Sequence, residues 1–156
     1  MRIIGIDPGT GILGFGVIEV LKGQLSLVDA GVIKTPSTDS DADRLKTIFE
    51  ELTSVIKSTN PTVMAVEKLF FAQNVTTAMT VSQARGVVLL IGVQAGLSIS
   101  EYTPQQIKQA LTGYGKADKK QIQEMVRVIL KLKHTPKPDD CADAIAAAIC
   151  HSMTVR

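Results

Sequence analysis

The chain has 156 residues, 45% hydrophobic and 21% charged, with a formal net charge of +2; that is apolar enough for a proper core and too evenly mixed for a disordered segment. With no Trp and four Phe plus two Tyr, the core must be built from aliphatic side chains. There is no basic-then-apolar leader, and the longest apolar run, Val87 to Val93, is far shorter than a bilayer span, so a cytoplasmic protein is expected.

Residues 1–156 read as one domain, with no repeat or linker dividing them. The run Ile3-Ile4-Gly5-Ile6 ends at Asp7 and the turn Pro8-Gly9-Thr10-Gly11. Leu13 to Val20 and, past Lys22-Gly23, Leu25 to Ile33 complete an antiparallel meander of three strands. A Ser-, Thr- and Asp-rich loop at 36–43 precedes a helix whose Leu45, Ile48, Phe49, Leu52, Val55 and Ile56 share one face. Val63-Met64-Ala65-Val66 is a fourth strand, ending at Glu67, and a loop through Phe70 and Phe71 leads into a long helix at about 75–95. Leu97 to Tyr102 forms a fifth strand. Thr103-Pro104-Gln105-Gln106 is a capping box for a short helix that stops at Gly113-Tyr114-Gly115. Asp118-Lys119-Lys120-Gln121 caps the next helix, with Ile122, Met125, Val126 and Ile129 as its buried stripe, and an Ala-rich helix opens at Asp140 and Asp143. This order predicts an α/β domain with a mixed five-stranded sheet between helices.

Acids at the mouths of core strands are the chemical signal. Asp7 and Glu67 each close an apolar run, where an unpaired charge costs several kcal/mol or more. A salt bridge explains either one alone about as well as a metal does. Asp140 and Asp143 are three apart and share a helix face; acids in a first helical turn are also ordinary N-terminal chemistry, which accounts for Asp139. If all four converge, repulsion on the order of 4 kcal/mol per close pair at an effective dielectric near 20 demands cations. Oxygen ligands without His or Cys favour Mg²⁺ or Mn²⁺ over zinc.

Charge is unevenly spread. Residues 105–137 carry eight basic side chains (Lys108, Lys116, Lys119, Lys120, Arg127, Lys131, Lys133, Lys137) against Asp118 and Glu124, whereas residues 1–60 carry six basic and eight acidic. By itself such a run is most simply a solvated face, but beside a cation site it reads as a footprint for a phosphate backbone. Cys141 and Cys150, nine apart on one helix, fall on opposite faces and predict neither a disulfide nor a shared metal. His134 and His151 lack partners at metal spacing and read as surface or packing residues.

Ile4-Gly5-Ile6-Asp7-Pro8-Gly9, Glu67 followed by Phe70, Gln83-Ala84-Arg85-Gly86, and Asp140-Cys141-Ala142-Asp143-Ala144 resemble, in order and spacing, the RuvC family of Holliday junction resolvases over nearly the whole chain. The resemblance implies a ribonuclease H-like fold and a homodimeric, Mg²⁺-dependent endonuclease that nicks two symmetry-related strands of a four-way DNA junction in recombination and repair. It implies that Asp7, Glu67, Asp140 and Asp143 are the metal-binding and catalytic acids. Asp140 is preferred to Asp139 because it keeps the three-residue step to Asp143. Phe70 is then expected to stack on bases at the junction centre, and Lys108 and Lys119 to contact DNA near the scissile phosphate. Lys116 and Lys120 are additional backbone contacts, and a branch-migration motor of the RuvA and RuvB type is the implied partner. The basic tail that some members carry beyond the last helix has no counterpart after Arg156. Three alternatives compete: a ribonuclease H-like nuclease processing RNA, an ATPase of the actin and sugar-kinase type, for which the chain is short, and a non-catalytic junction-binding module.

Overall fold

A computed structural model describes residues 1–9, 11–68 and 75–155. Strands β1 (Arg2–Asp7), β2 (Ile12–Leu21) and β3 (Gln24–Lys34) form the meander, followed by α1 (Asp41–Thr59), β4 (Val63–Glu67), α2 (Val75–Gln94), β5 (Ser98–Tyr102), α3 (Pro104–Thr112), α4 (Lys119–Ile129) and α5 (Asp139–Thr154). The sheet order is β3-β2-β1-β4-β5, antiparallel from β1 to β3 and parallel from β1 through β4 to β5. The expected ribonuclease H-like, five-stranded mixed sheet is therefore the observed one, and element ends fall within two residues of the periodicity reading wherever it set them.

Local chemistry accounts for the joints. Lys22 and Gly23, both at positive φ (50° and 79°), make the two-residue hairpin turn whose twist suits flanking β-strands. Ser40 caps α1, accepting from the Asp43 N–H, and Asn60 closes it in the left-handed conformation. Both expected capping boxes are present: Thr103 with Gln106 on α3, and Asp118 with Gln121 on α4.

The sheet separates two apolar layers because its side chains alternate. Ile4, Ile6, Leu13, Phe15, Val17, Met64 and Val66 face α1 and α2. Ile3, Ile18, Val63 and Ala65 face the layer of α3, α4 and α5. Helix α5 is buried on all sides from Cys141 to His151, apart from half-buried Asp143. It comes close enough because three glycines lie beneath it. A Cβ on Gly5 would stand 1.9 Å from Ala144 O, one on Gly14 2.1 Å from Asp140 O, and one on Gly16 2.3 Å from Ile145 Cγ1. Side chains there would lift the helix, and the acids it carries, off the sheet.

The cysteines sit as their spacing predicts, both buried and free, with Cys141 Sγ toward Phe15 O and Cys150 Sγ toward Gln106 O. His134 is exposed; His151 is buried, its Nδ1 2.8 Å from the Tyr102 hydroxyl. No helix among the described residues is long and apolar enough to cross a membrane.

Candidate active site

Strand parity sets the site. Ile3, Gly5 and Asp7 alternate onto the α5 face of β1, and Val63, Ala65 and Glu67 onto the same face of the neighbouring parallel strand. Asp7 and Glu67 thus leave adjacent strands side by side, at the carboxyl ends where open α/β sheets place ligands. On the other side Asp7 pairs with Gly14, against which the first turn of α5 rests through Asp140. Asp143 follows one turn later on the same helix face.

The four carboxylates act on one another. Burial, then the charges of Glu67 and Asp143, a hydrogen bond with Glu67 and the charge of Asp140 push the Asp7 carboxyl up to about 9. Their hydrogen bond raises Asp7 and lowers Glu67, so a proton shared between them rests on Asp7, which donates to Glu67. Glu67 is itself raised, chiefly by burial and then by Asp143, against the lowering effect of the Asp7 hydrogen bond, Lys108 and Lys119. Asp143 is raised by burial and by Asp140 and Asp139, opposed by Lys119. Asp140 bears on Asp7, whereas Asp139 turns toward Lys119, whose Nζ lies 3.6 Å from Asp139 Oδ2 and 3.6 Å from Asp143 Oδ2.

A shared proton and an ammonium therefore occupy the place of compensating charge, and among the described residues no three His, Cys, Asp or Glu side chains are drawn tightly enough to enclose an ion as they stand. The donors are nevertheless all carboxylate oxygens, the set a hard divalent cation takes. A cavity of about 50 Å³ between Glu67, Lys108 and Asp143 leaves room beside them.

Of the expected DNA-contacting residues, the structure brings Lys119 and Lys108 to the acids, Lys108 close enough for its charge to lower Glu67. Lys116 and Lys120 are exposed on the turn before and the first turn of α4, with no contact to the acids. Phe70 lies outside the described residues. Arg85 of the Gln83–Gly86 motif pairs with Glu101 of β5. What the sequence reading missed are Gly5, Gly14 and Gly16 as the seat of α5, and Asp139 as the partner of Lys119. The signal for the glycines was available: in β1 and β2 they stand where β-branched residues would otherwise be expected.

Comparison with known proteins agrees with this fold. The profile described as "Crossover junction endodeoxyribonuclease RuvC" matches residues 3–151. The enzyme of that name from Heliobacterium modesticaldum is 57% identical over 156 residues, covering 99% of this chain and 96% of the relative. The Thermus thermophilus RuvC structure superposes with a TM-score of 0.93 at 38% identity, covering all of this chain and 96% of that one. The same organism's RuvC in complex with Holliday junction substrate gives 0.92 at 35% identity with the same coverage. The chain belongs to the RuvC family of crossover junction endodeoxyribonucleases, hydrolases of phosphodiester bonds.

Proposed function

We propose that this chain is a single ribonuclease H-like nuclease domain, residues 1–156, that works in the cytoplasm as a homodimer and resolves four-way DNA junctions by symmetric paired nicks during recombination and repair. The observation that carries the proposal is the gathering of Asp7, Glu67, Asp140 and Asp143 at one end of the sheet, where β1 and β4 run side by side and the first turns of α5 rest on Gly14, so that burial and their mutual charge raise the Asp7 carboxyl. Such a cluster is poised to exchange its proton for a divalent cation.

Asp7, Glu67, Asp140 and Asp143 would hold Mg²⁺, two ions per subunit, and Mn²⁺ would substitute. When bound, such ions supply Lewis-acid stabilisation of the phosphodiester and acidify water for attack. The chain's own residues do the rest. Asp7 and Glu67 would release their shared proton to solvent as a cation binds, the Lys119 ammonium would pass from Asp143 and Asp139 to phosphate oxygens, and Lys108 would offset charge beside Glu67. Cleavage then leaves a 5′ phosphate and a 3′ hydroxyl, and needs no Ser, Cys or His nucleophile. Phe70 stacks on bases at the junction centre, while Lys116 and Lys120 hold the backbone.

Two opposed cuts require two sites related by a twofold axis. Helix α2 supports that role, since it exposes Met79 (61%), Leu90 (52%) and Val93 (67%) on one side, along with Gly86, above which a Cβ would meet nothing within 4 Å. A branch-migration motor would deliver the junction. The test is Asp7→Asn: junction binding is retained or strengthened and cleavage abolished, and a cleaving Asp7→Asn protein would sink the assignment.

A further inference from the structure

An exposed aromatic stands in the middle of the basic segment and has no part in the site described so far. Tyr114 is 56% exposed, yet its backbone is fixed from both sides. Thr112 Oγ1 accepts from the Tyr114 N–H at 3.0 Å and donates to Lys108 O at 2.7 Å. Tyr114 O accepts from the Ala117 N–H at 3.2 Å, and Gly113, left-handed at φ 73°, donates to Gln109 O at 2.9 Å. The ring is therefore presented on a rigid turn and pays little entropy on contact. Beside it a cavity of about 430 Å³ opens between this turn and the first two turns of α4, with Ala117 and Met125 as apolar lining and Lys120 at its edge.

Single exposed aromatics are ordinary, and the surroundings distinguish this one. Lys116, Lys119 and Lys120 follow within six residues, and Lys119 reaches the acid cluster while its neighbour Lys120 lines the cavity. Of the two carboxylates on the cavity wall, Glu124 is paired with Arg127, and Asp118 is turned to its capping role, its Oδ1 accepting from the Gln121 N–H. What remains is a π-face over an apolar floor, with Lys120 at the rim and the exposed Lys116 two residues from the ring. That combination suits a polyanion that carries aromatic bases.

We propose that Tyr114 and this cavity form a nucleobase subsite, which holds a base of the cut strand a few nucleotides from the scissile phosphate while Lys116 and Lys120 hold its flanking phosphates. The inference rests on the junction-cleaving function proposed above. By holding that base the subsite fixes which phosphate enters the site. An apolar anchor from a protein partner could also fill the cavity, but Lys120 at its rim and Lys116 on the same turn favour nucleic acid.

The test uses the full chain with Tyr114→Ala and Tyr114→Phe, on four-way junctions carrying 2-aminopurine at successive positions from the nick. Tyr114→Ala should weaken junction binding about 5- to 160-fold, the range of losing one base stack, while Tyr114→Phe stays within about twofold. The salt slope should be unchanged in Tyr114→Ala and flattened by about one in Lys120→Ala, because only the lysine releases counterions. One 2-aminopurine position should be quenched by wild type and not by Tyr114→Ala. Equal affinity and equal fluorescence for wild type and Tyr114→Ala would overturn the subsite and leave the cavity to a protein anchor. A wild-type protein that neither binds nor cuts junctions would instead overturn the function beneath it.

Discussion

Replacing Asp7 by Asn should make the cation-free protein more stable, although it removes the residue at the centre of the acid cluster. In the unfolded chain an aspartate titrates near 3.8, whereas in the fold burial and three neighbouring acids hold Asp7 protonated to about 9. Between those values the folded state binds a proton that the unfolded state does not. Stability then falls by up to about 1.4 kcal/mol for each pH unit gained. The handicap is absent below about pH 4, grows through neutrality and is complete only above 9. At pH 7 the arithmetic gives roughly 4 kcal/mol, which partial solvent contact reduces to about 2–4 kcal/mol. Asn carries no charge at any pH and can still donate to Glu67. In EDTA at pH 7 the variant should melt roughly 5–15 °C above wild type, at the usual 2–4 °C per kcal/mol for a chain this size. Urea unfolding at pH 5 and pH 8 supplies the sign: the advantage must widen as pH rises. Comparing the two proteins also cancels His151, whose lowered pKa acts on both in the opposite sense. Added Mg²⁺ should stabilise wild type and not the variant. A variant less stable than wild type in EDTA, or an advantage that stays constant with pH, would refute the reasoning.

Other consequences follow from the same contacts. Gly14→Ala places a methyl 2.1 Å from Asp140 O and 2.5 Å from its carbonyl carbon, so it should cost about 1–3 kcal/mol in thermal unfolding and disturb the site through α5. Lys119→Ala removes the cation that opposes proton uptake by Asp143; the acid limb of the pH–rate profile should move to higher pH, with cleavage falling on the order of 100-fold. Glutamate at both Leu90 and Val93, which are exposed on α2, should turn a sedimenting dimer into a folded monomer at micromolar concentration, with paired nicking lost.

The parts of this molecule that were legible in its sequence are those fixed by local chemistry. The two capping boxes, the Lys22-Gly23 turn and the apolar stripe of α4 depend on neighbours within four residues, and each formed as read. Asp7 and Glu67 could be singled out because a charge at the end of a buried run needs a reason. Their meeting with Asp140 and Asp143 could not be read locally, since it depends on α5 lying across β1 and β2, over a hundred residues away in sequence. The resemblance supplied that juxtaposition, and Gly5, Gly14 and Gly16 explain it physically. The choice between Asp139 and Asp140 was a matter of spacing; in the fold the charge of Asp140 acts on Asp7, and Asp139 pairs with Lys119. Tyr114 carried no signal in the sequence beyond lying between two glycines, because its exposure and the cavity beside it come from how α3 and α4 pack.

The central claim is tested most directly by incubating the purified protein with an end-labelled synthetic four-way junction, in Mg²⁺ or in EDTA, beside matched duplex and RNA hairpin controls. The account predicts paired nicks at symmetry-related positions in opposing strands, sealable by ligase and dependent on the metal. Tight binding without cutting, or cutting of the RNA hairpin alone, would contradict it.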